Sequence, residues 1–117
     1  MLTTLNFDNN MMTTLEKVKR LEQYLLFSNL TVDPVLDMSI NKLLVRESTR
    51  INELKTRLLN QVMIFEQTYS MASSEFYRCY ENGEMGDEMD FVEWASTVEM
   101  LANVDNRLKL LQIGSNS

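Results

Sequence analysis

The 117-residue sequence contains no histidine, one cysteine, one proline and three glycines. Without histidine it lacks the usual base of nucleophilic catalysis and the ligand that di-iron bundles and most zinc sites require. Cys79 cannot form an internal disulfide and gives no sign of an oxidising compartment. A free cysteine without a base partner behaves most often as a small buried hydrophobe. So few glycines and prolines leave little turn chemistry, which favours a few long helices over a sheet. No apolar run reaches the roughly 18 residues needed to cross a bilayer. The N-terminal stretch MLTTLNFDNNMM lacks the basic start and apolar core of a signal segment. The expected location is therefore cytoplasmic. A formal charge of −6 argues against a protein that grips nucleic acid over most of its surface.

With 44% hydrophobic and 24% charged residues, the chain has the composition of one folded domain. Residues 1–12 are patternless and expected to form a mobile tail, with Met11 and Met12 as alternative translation starts. Residues 13–113 are expected to form one helical domain, and residues 114–117 a frayed end. The first helix starts at Thr13 or Thr14, whose hydroxyls can cap backbone N–H groups. Leu15, Val18, Leu21, Leu25 and Leu26 then mark one apolar face, up to a stop at Ser28-Asn29 and a bridge over Leu30 to Val32. Asp33-Pro34 is the clearest helix start in the chain. The stripe Ile40, Leu44, Ile51, Leu54, Leu58, Val62, Phe65 and Tyr69 follows it, interrupted at Glu47. A helix of this span is roughly 50 Å long, more than a compact monomer of this size accommodates. Either it bends near Glu47 to Thr49 or it runs on and pairs with a second chain; a dimer is the favoured expectation. Beside the stripe lie Lys42, Arg46, Arg50 and Arg57, either a solvated flank or a receiver for acidic side chains.

The acids concentrate farther on. From Glu75 to Glu99 eight carboxylates face a single base, Arg78. Ser70 or Ser73 is expected to cap a short helix that Asn82-Gly83 stops. Gly83 and Gly86 form the hinge of a hairpin around the turn Glu84-Met85-Gly86. Asp87 caps the last helix, with Asp90 as in a capping box. Phe91, Trp94, Val98, Leu101, Leu108 and Leu111 continue at helical spacing. The fold class expected is all-α: about four helices with one long central helix, arranged as a bundle.

No metal pattern fits the acids. A calcium loop needs oxygens at alternate positions, and Asp87 and Asp90 are three apart at a helix start. The two glutamates nearest the glycines would repel a phosphate. Neither an enzyme nor a cofactor is expected. What remains is a docking surface made of Tyr80, Glu81, Glu84, Met85, Glu88, Glu93 and Glu99. Acids there would steer a basic partner, and methionine and aromatic side chains would adapt to it. Phe91 and Trp94 have the alternative role of packing between helices. The basic stripe adds contact with DNA as a lesser expectation, because a dimer could join two stripes into one patch.

Phe65-Glu66-x-x-Tyr69, Met71, Phe76 and the block Gly83-Glu84-x-Gly86-Asp87-x-x-Asp90-Phe91-x-Glu93-Trp94 resemble a signature of small helical prokaryotic proteins presumed to be antitoxins. The resemblance covers roughly Asp33 to Met100. It departs at Ser70, where such sequences often carry glycine, and at Ala72, where a capping serine is common. It implies a cytoplasmic protein that binds and neutralises a cognate, basic toxin, as a dimer that also touches its own promoter. The alternative is a structural or adaptor module that forms a homo-oligomer and has no toxin partner.

Overall fold

The computed structural model describes residues 11–28 and 33–112. The expected tail over residues 1–10, the bridge over 29–32 and the end from 113 onward lie outside the described residues. Four helices account for nearly all the rest: α1 (Thr14–Phe27), α2 (Pro34–Tyr69), α3 (Ser73–Glu81) and α4 (Met89–Leu111). The described residues contain no strand. The chain divides into two compact units, Met1–Asp37 and Met38–Ser117.

In the first unit, α1 begins where its sequence places it. The Thr13 hydroxyl accepts from the Glu16 N–H at 3.1 Å, and the Glu16 carboxylate accepts from the Thr13 N–H at 2.9 Å. This reciprocal capping box satisfies two backbone donors that the first turn would otherwise leave open. The apolar face expected on α1 is only half-buried at Leu21 and Leu25 and exposed at Leu15, Val18 and Leu26. Asp33 caps α2 with Oδ1, which accepts from the N–H groups of Val35 and Leu36.

The 36-residue helix α2 runs without interruption through Glu47 to Tyr69, so the expected alternative of a break there does not occur. At about 1.5 Å per residue it is about 54 Å long. Glu47 interrupts the apolar stripe because it binds bases: its carboxylate meets Arg50 at 3.0 Å and Arg46 at 3.5 Å.

In the second unit α2 and α4 run antiparallel, and four contacts fix their register. The Tyr69 hydroxyl donates to Asp90 at 2.6 Å, and Phe65 stacks on Trp94 with centroids 5.6 Å apart. The Thr97 hydroxyl lies 3.4 Å from the Gln61 side-chain oxygen, and Lys55 pairs with Asp105 at 2.7 Å. Steps of 4, 4 and 6 residues down α2 are thus matched by steps of 4, 3 and 8 residues up α4. Apolar side chains fill the seam in two clusters. Near the connection between helices lie Phe76, Phe91, Trp94 and Ala95, with Phe65, Tyr69, Met71, Tyr80 and Met85 against them. Farther down are Ile51, Leu58 and Val104, flanked by Leu54, Leu101, Leu108 and Leu111. Phe76 and Trp94 are fully buried and stacked face to face at 3.9 Å. Burial of this aromatic cluster adds stability that helix propensity alone does not supply.

The connections explain why α3 folds back. Ser70 has φ of +51°, the left-handed conformation that ends many helices. The Met71 N–H bonds back to the Glu66 carbonyl at 3.2 Å across it. Neither Ser70 nor Ser73 caps α3 with its side chain, contrary to expectation; the N-cap is Ala72, which has none to offer. Instead the Glu66 carboxylate, from the last turns of α2, accepts from the Ser73 N–H at 2.9 Å. The Ser73 hydroxyl is then free to accept from the Trp94 indole N–H at 2.9 Å. At the other end Asn82 and Gly83 stop α3 as their chemistry dictates. Glu84 N–H reaches the Cys79 carbonyl at 2.9 Å and Gly83 N–H the Tyr80 carbonyl at 3.1 Å, a Schellman motif with Gly83 at φ +76°.

A left-handed conformation costs a residue with a Cβ about 1–2 kcal/mol. Ser70→Gly is therefore expected to stabilise the protein by about 0.5–1 kcal/mol, net of glycine's greater freedom when unfolded. A rise in the urea midpoint at unchanged slope measures it.

Candidate functional site

The acids of the C-terminal half do not form one cluster. Asp87 and Asp90 are not the caps the sequence suggests. α4 begins two residues after Asp87, its N-cap is Glu88, and no side chain bonds there. Asp90 is drawn off by the Tyr69 hydroxyl, a partner twenty-one residues away that local spacing does not reveal. Glu75 pairs with Arg78 at 2.6 Å, which holds its carboxyl below the usual range. Glu99 accepts from the Tyr77 hydroxyl at 2.7 Å. Asp87, Glu88 and Glu93 make no side-chain hydrogen bond or ion pair among the described residues. All three are exposed, as are Glu81 and Glu84.

Of the remaining expected contact residues, Tyr80 and Met85 turn inward. Both pack on the aromatic cluster and are half-buried, so they support the hairpin more than they project from it. Phe91 and Trp94 are core, the alternative the sequence left open. Gly83 and Gly86, at φ +76° and +83°, form the turns expected of a hinge between α3 and α4.

Lys42, Arg46, Arg50 and Arg57 are all exposed on α2. Among the described residues none of their ion pairs reaches the acidic hairpin of the same chain; Arg46 and Arg50 hold Glu47 instead. The reading in which the stripe receives this chain's own acids is thereby corrected: a base-bearing helix satisfies itself locally when an acid stands three or four residues away.

Between α2 and α4 the surface opens into a groove of about 560 Å³, bordered by Gln61, Ile64, Phe65, Val92, Glu93 and Ser96. Its apolar side chains are strongly exposed, Ile64 at 61% and Val92 at 41%. A smaller recess of about 220 Å³ continues along α4 past Met100 toward Arg107. Sequence reasoning missed Ile64 and Val92 because they lie off the stripes that form the core. The available signal was that α4 is apolar on more than one side, which a helix covered on one face alone does not need.

Cys79 is buried, and burial, followed by a hydrogen bond with Glu84, pushes its thiol up. That favours the thiol over the reactive thiolate. No group of three or more His, Cys, Asp or Glu among the described residues is placed to hold a metal ion. No described helix is long and apolar enough to cross a membrane.

The two tyrosine–carboxylate bonds give the site a pH signature. The hydrogen bond to Asp90 raises Tyr69 above its ordinary 10.0, and that to Glu99 raises Tyr77 well above it. A phenol whose folded-state pKa exceeds its unfolded one adds stability that is complete below the unfolded value and is lost as pH rises past it. Cys79 acts in the same direction from its ordinary 9.0. The urea midpoint is thus expected to stay level up to about pH 9 and then fall. The combined Tyr69→Phe and Tyr77→Phe substitutions should flatten that fall.

These features define an all-α protein with an antiparallel helical pair, a short folded-back helix and an acid-edged groove. No family model matches the chain, and neither a curated protein nor a solved structure matches it.

Proposed function

We propose that the protein is a non-catalytic binding module, an antitoxin-like component that takes a basic toxin on the acidic side of its hairpin. The observation that carries this reading is the coexistence of Asp87, Glu88 and Glu93, without a hydrogen-bond or ion-pair partner among the described residues, with the exposed apolar border of the groove. Acids steer a basic partner from a distance, and an apolar floor that water must leave supplies affinity. Resemblance of the Gly83 to Trp94 block to presumed antitoxins supplies the class of partner. Promoter binding through Lys42, Arg46, Arg50 and Arg57 belongs to the same reading as a route to autoregulation.

The test is co-expression of the tagged full chain with the product of the adjacent small gene. A complex that purifies intact, weakens in salt and is lost in a Glu88→Lys, Glu93→Lys variant is the expected result. Failure to co-purify, with a neighbour harmless when expressed alone, sinks the proposal. A homo-oligomeric helical module with no toxin partner is the second reading. It is favoured by the exposed apolar residues that both α2 and α4 present away from their shared seam.

A further inference from the structure

One face of α2 carries no charge along nearly the whole helix. Met38, Asn41, Val45, Asn52, Leu59 and Met63 recur there at steps of three, four and seven residues, with Thr49 and Thr56 in the turns between. All are exposed, Met38 and Val45 at 57%, Leu59 at 46% and Met63 at 50%. None of the charged residues of α2 falls on this line. It lies about a third of a turn round the helix from the buried Ile51, Leu58 and Val62 that face α4. A helix side that faces only water ordinarily carries the charges, so this one is cut for a different neighbour. The Thr56 hydroxyl donates to the Asn52 carbonyl at 3.1 Å and needs no outside partner, which leaves its methyl for packing. The Asn52 amide makes no side-chain hydrogen bond among the described residues.

Valine and leucine seven residues either side of one central asparagine is a pattern by which two helices pair in a coiled coil. The line spans about four heptads, enough length for such a pairing. We infer that this face docks on the same face of a second copy of the chain, α2 against α2. The central asparagine singles out that occupant. An amide both donates and accepts, so in a two-fold contact centred on Asn52 the two side chains satisfy each other. A charged partner finds no counter-charge on this line, and one that is wholly apolar leaves the amide unpaired. Half of the positions are polar, which makes the pairing reversible and fixes its register. The inference rests on the homo-oligomeric reading and supplies its contact surface.

Solution mass of the full chain tests it first. Twice the chain mass of 13.7 kDa is expected at high micromolar concentration, falling to one on dilution. Salt should change it little, in contrast to the toxin complex, since no charge lies on the seam. Val45→Glu with Leu59→Glu should weaken the dimer by about a hundredfold or more, because each buries a charge without a partner. Both positions are exposed in the single chain, so circular dichroism and the urea midpoint of dilute protein should change little. Asn52→Leu should tighten association and spread it into larger assemblies, because no amide then fixes the pairing. On oxidation Asn52→Cys should cross-link two chains, whereas Leu43→Cys, exposed on the opposite side of α2, should not. A monomer at every concentration overturns both the inference and the homo-oligomeric reading. A dimer that ignores the two glutamates, or that cross-links at Leu43 and not at Asn52, overturns the α2 seam and leaves the homo-oligomer standing.

Discussion

Trp94→Ala is expected to remove about 3–5 kcal/mol of stability, a large part of the roughly 5–15 kcal/mol that holds a domain of this size together. Trp94 is fully buried, stacked on Phe76 at 3.9 Å and against Phe65 and Tyr69 at 5.6 and 5.8 Å. Truncation opens a cavity among three aromatic rings, two on α2 and one on α3, which cannot all collapse inward at once. It also leaves the Ser73 hydroxyl without its indole donor. Because that hydroxyl sits at the start of α3, the short helix should loosen before α2 does. Trp94→Phe isolates the two effects: it keeps an aromatic in the stack and loses the hydrogen bond, so its cost should be clearly smaller. Urea titrations of the two variants give the comparison, and near-equal losses would show that packing around Trp94 contributes little.

The second large effect separates adjacent residues. Leu58 is 4% exposed and central to the lower cluster with Ile51 and Val104, whereas Leu59 is 46% exposed on the next face of the same helix. Leu58→Ala should cost about 2–5 kcal/mol, the usual range for emptying a packed site. Leu59→Ala should cost under about 1 kcal/mol, since surface substitutions away from special features are nearly neutral. Helix propensity is the same in both, so the difference reads the α2–α4 seam alone. Equal effects would mean that the two helices are not paired along this stretch.

Much of this architecture was legible in the residues. The i, i+3, i+4 spacing located the helices, Thr13 and Asp33 started two of them, and Asn82-Gly83 stopped a third. The all-α class followed from scarce glycine and proline. What escaped was every feature in which a distant side chain replaced a local one. Asp90 stands where a capping box would put it, yet Tyr69 holds it. Ala72 offers no cap, and Glu66 reaches across from the preceding helix to supply one. Ser70 takes a conformation that serine seldom adopts, so its identity gave no warning. Glu47 was visible as an interruption, but its two arginines became its partners only once the helix was seen to continue unbroken past it. The candidate site was legible as charge and not as shape: the acids were evident, whereas the groove beside them is made by residues off the core stripes.

The tie from Glu66 through Ser73 to Trp94 has a consequence for the order of assembly. The contacts nearest the connection, Ser73 with Trp94 and Tyr69 with Asp90, close loops of 21 residues, whereas Gln61 with Thr97 closes 36. Lys55 with Asp105, lower still, closes a longer loop again. Closing a loop costs more entropy as it lengthens, yet once the first contact is made each later one adds only a short increment. Loop closure therefore predicts folding like a clasp, from the aromatic tip downward, with the lower apolar cluster forming on a scaffold the tip has already aligned. A change at the tip should slow folding, and one at the lower end should chiefly hasten unfolding.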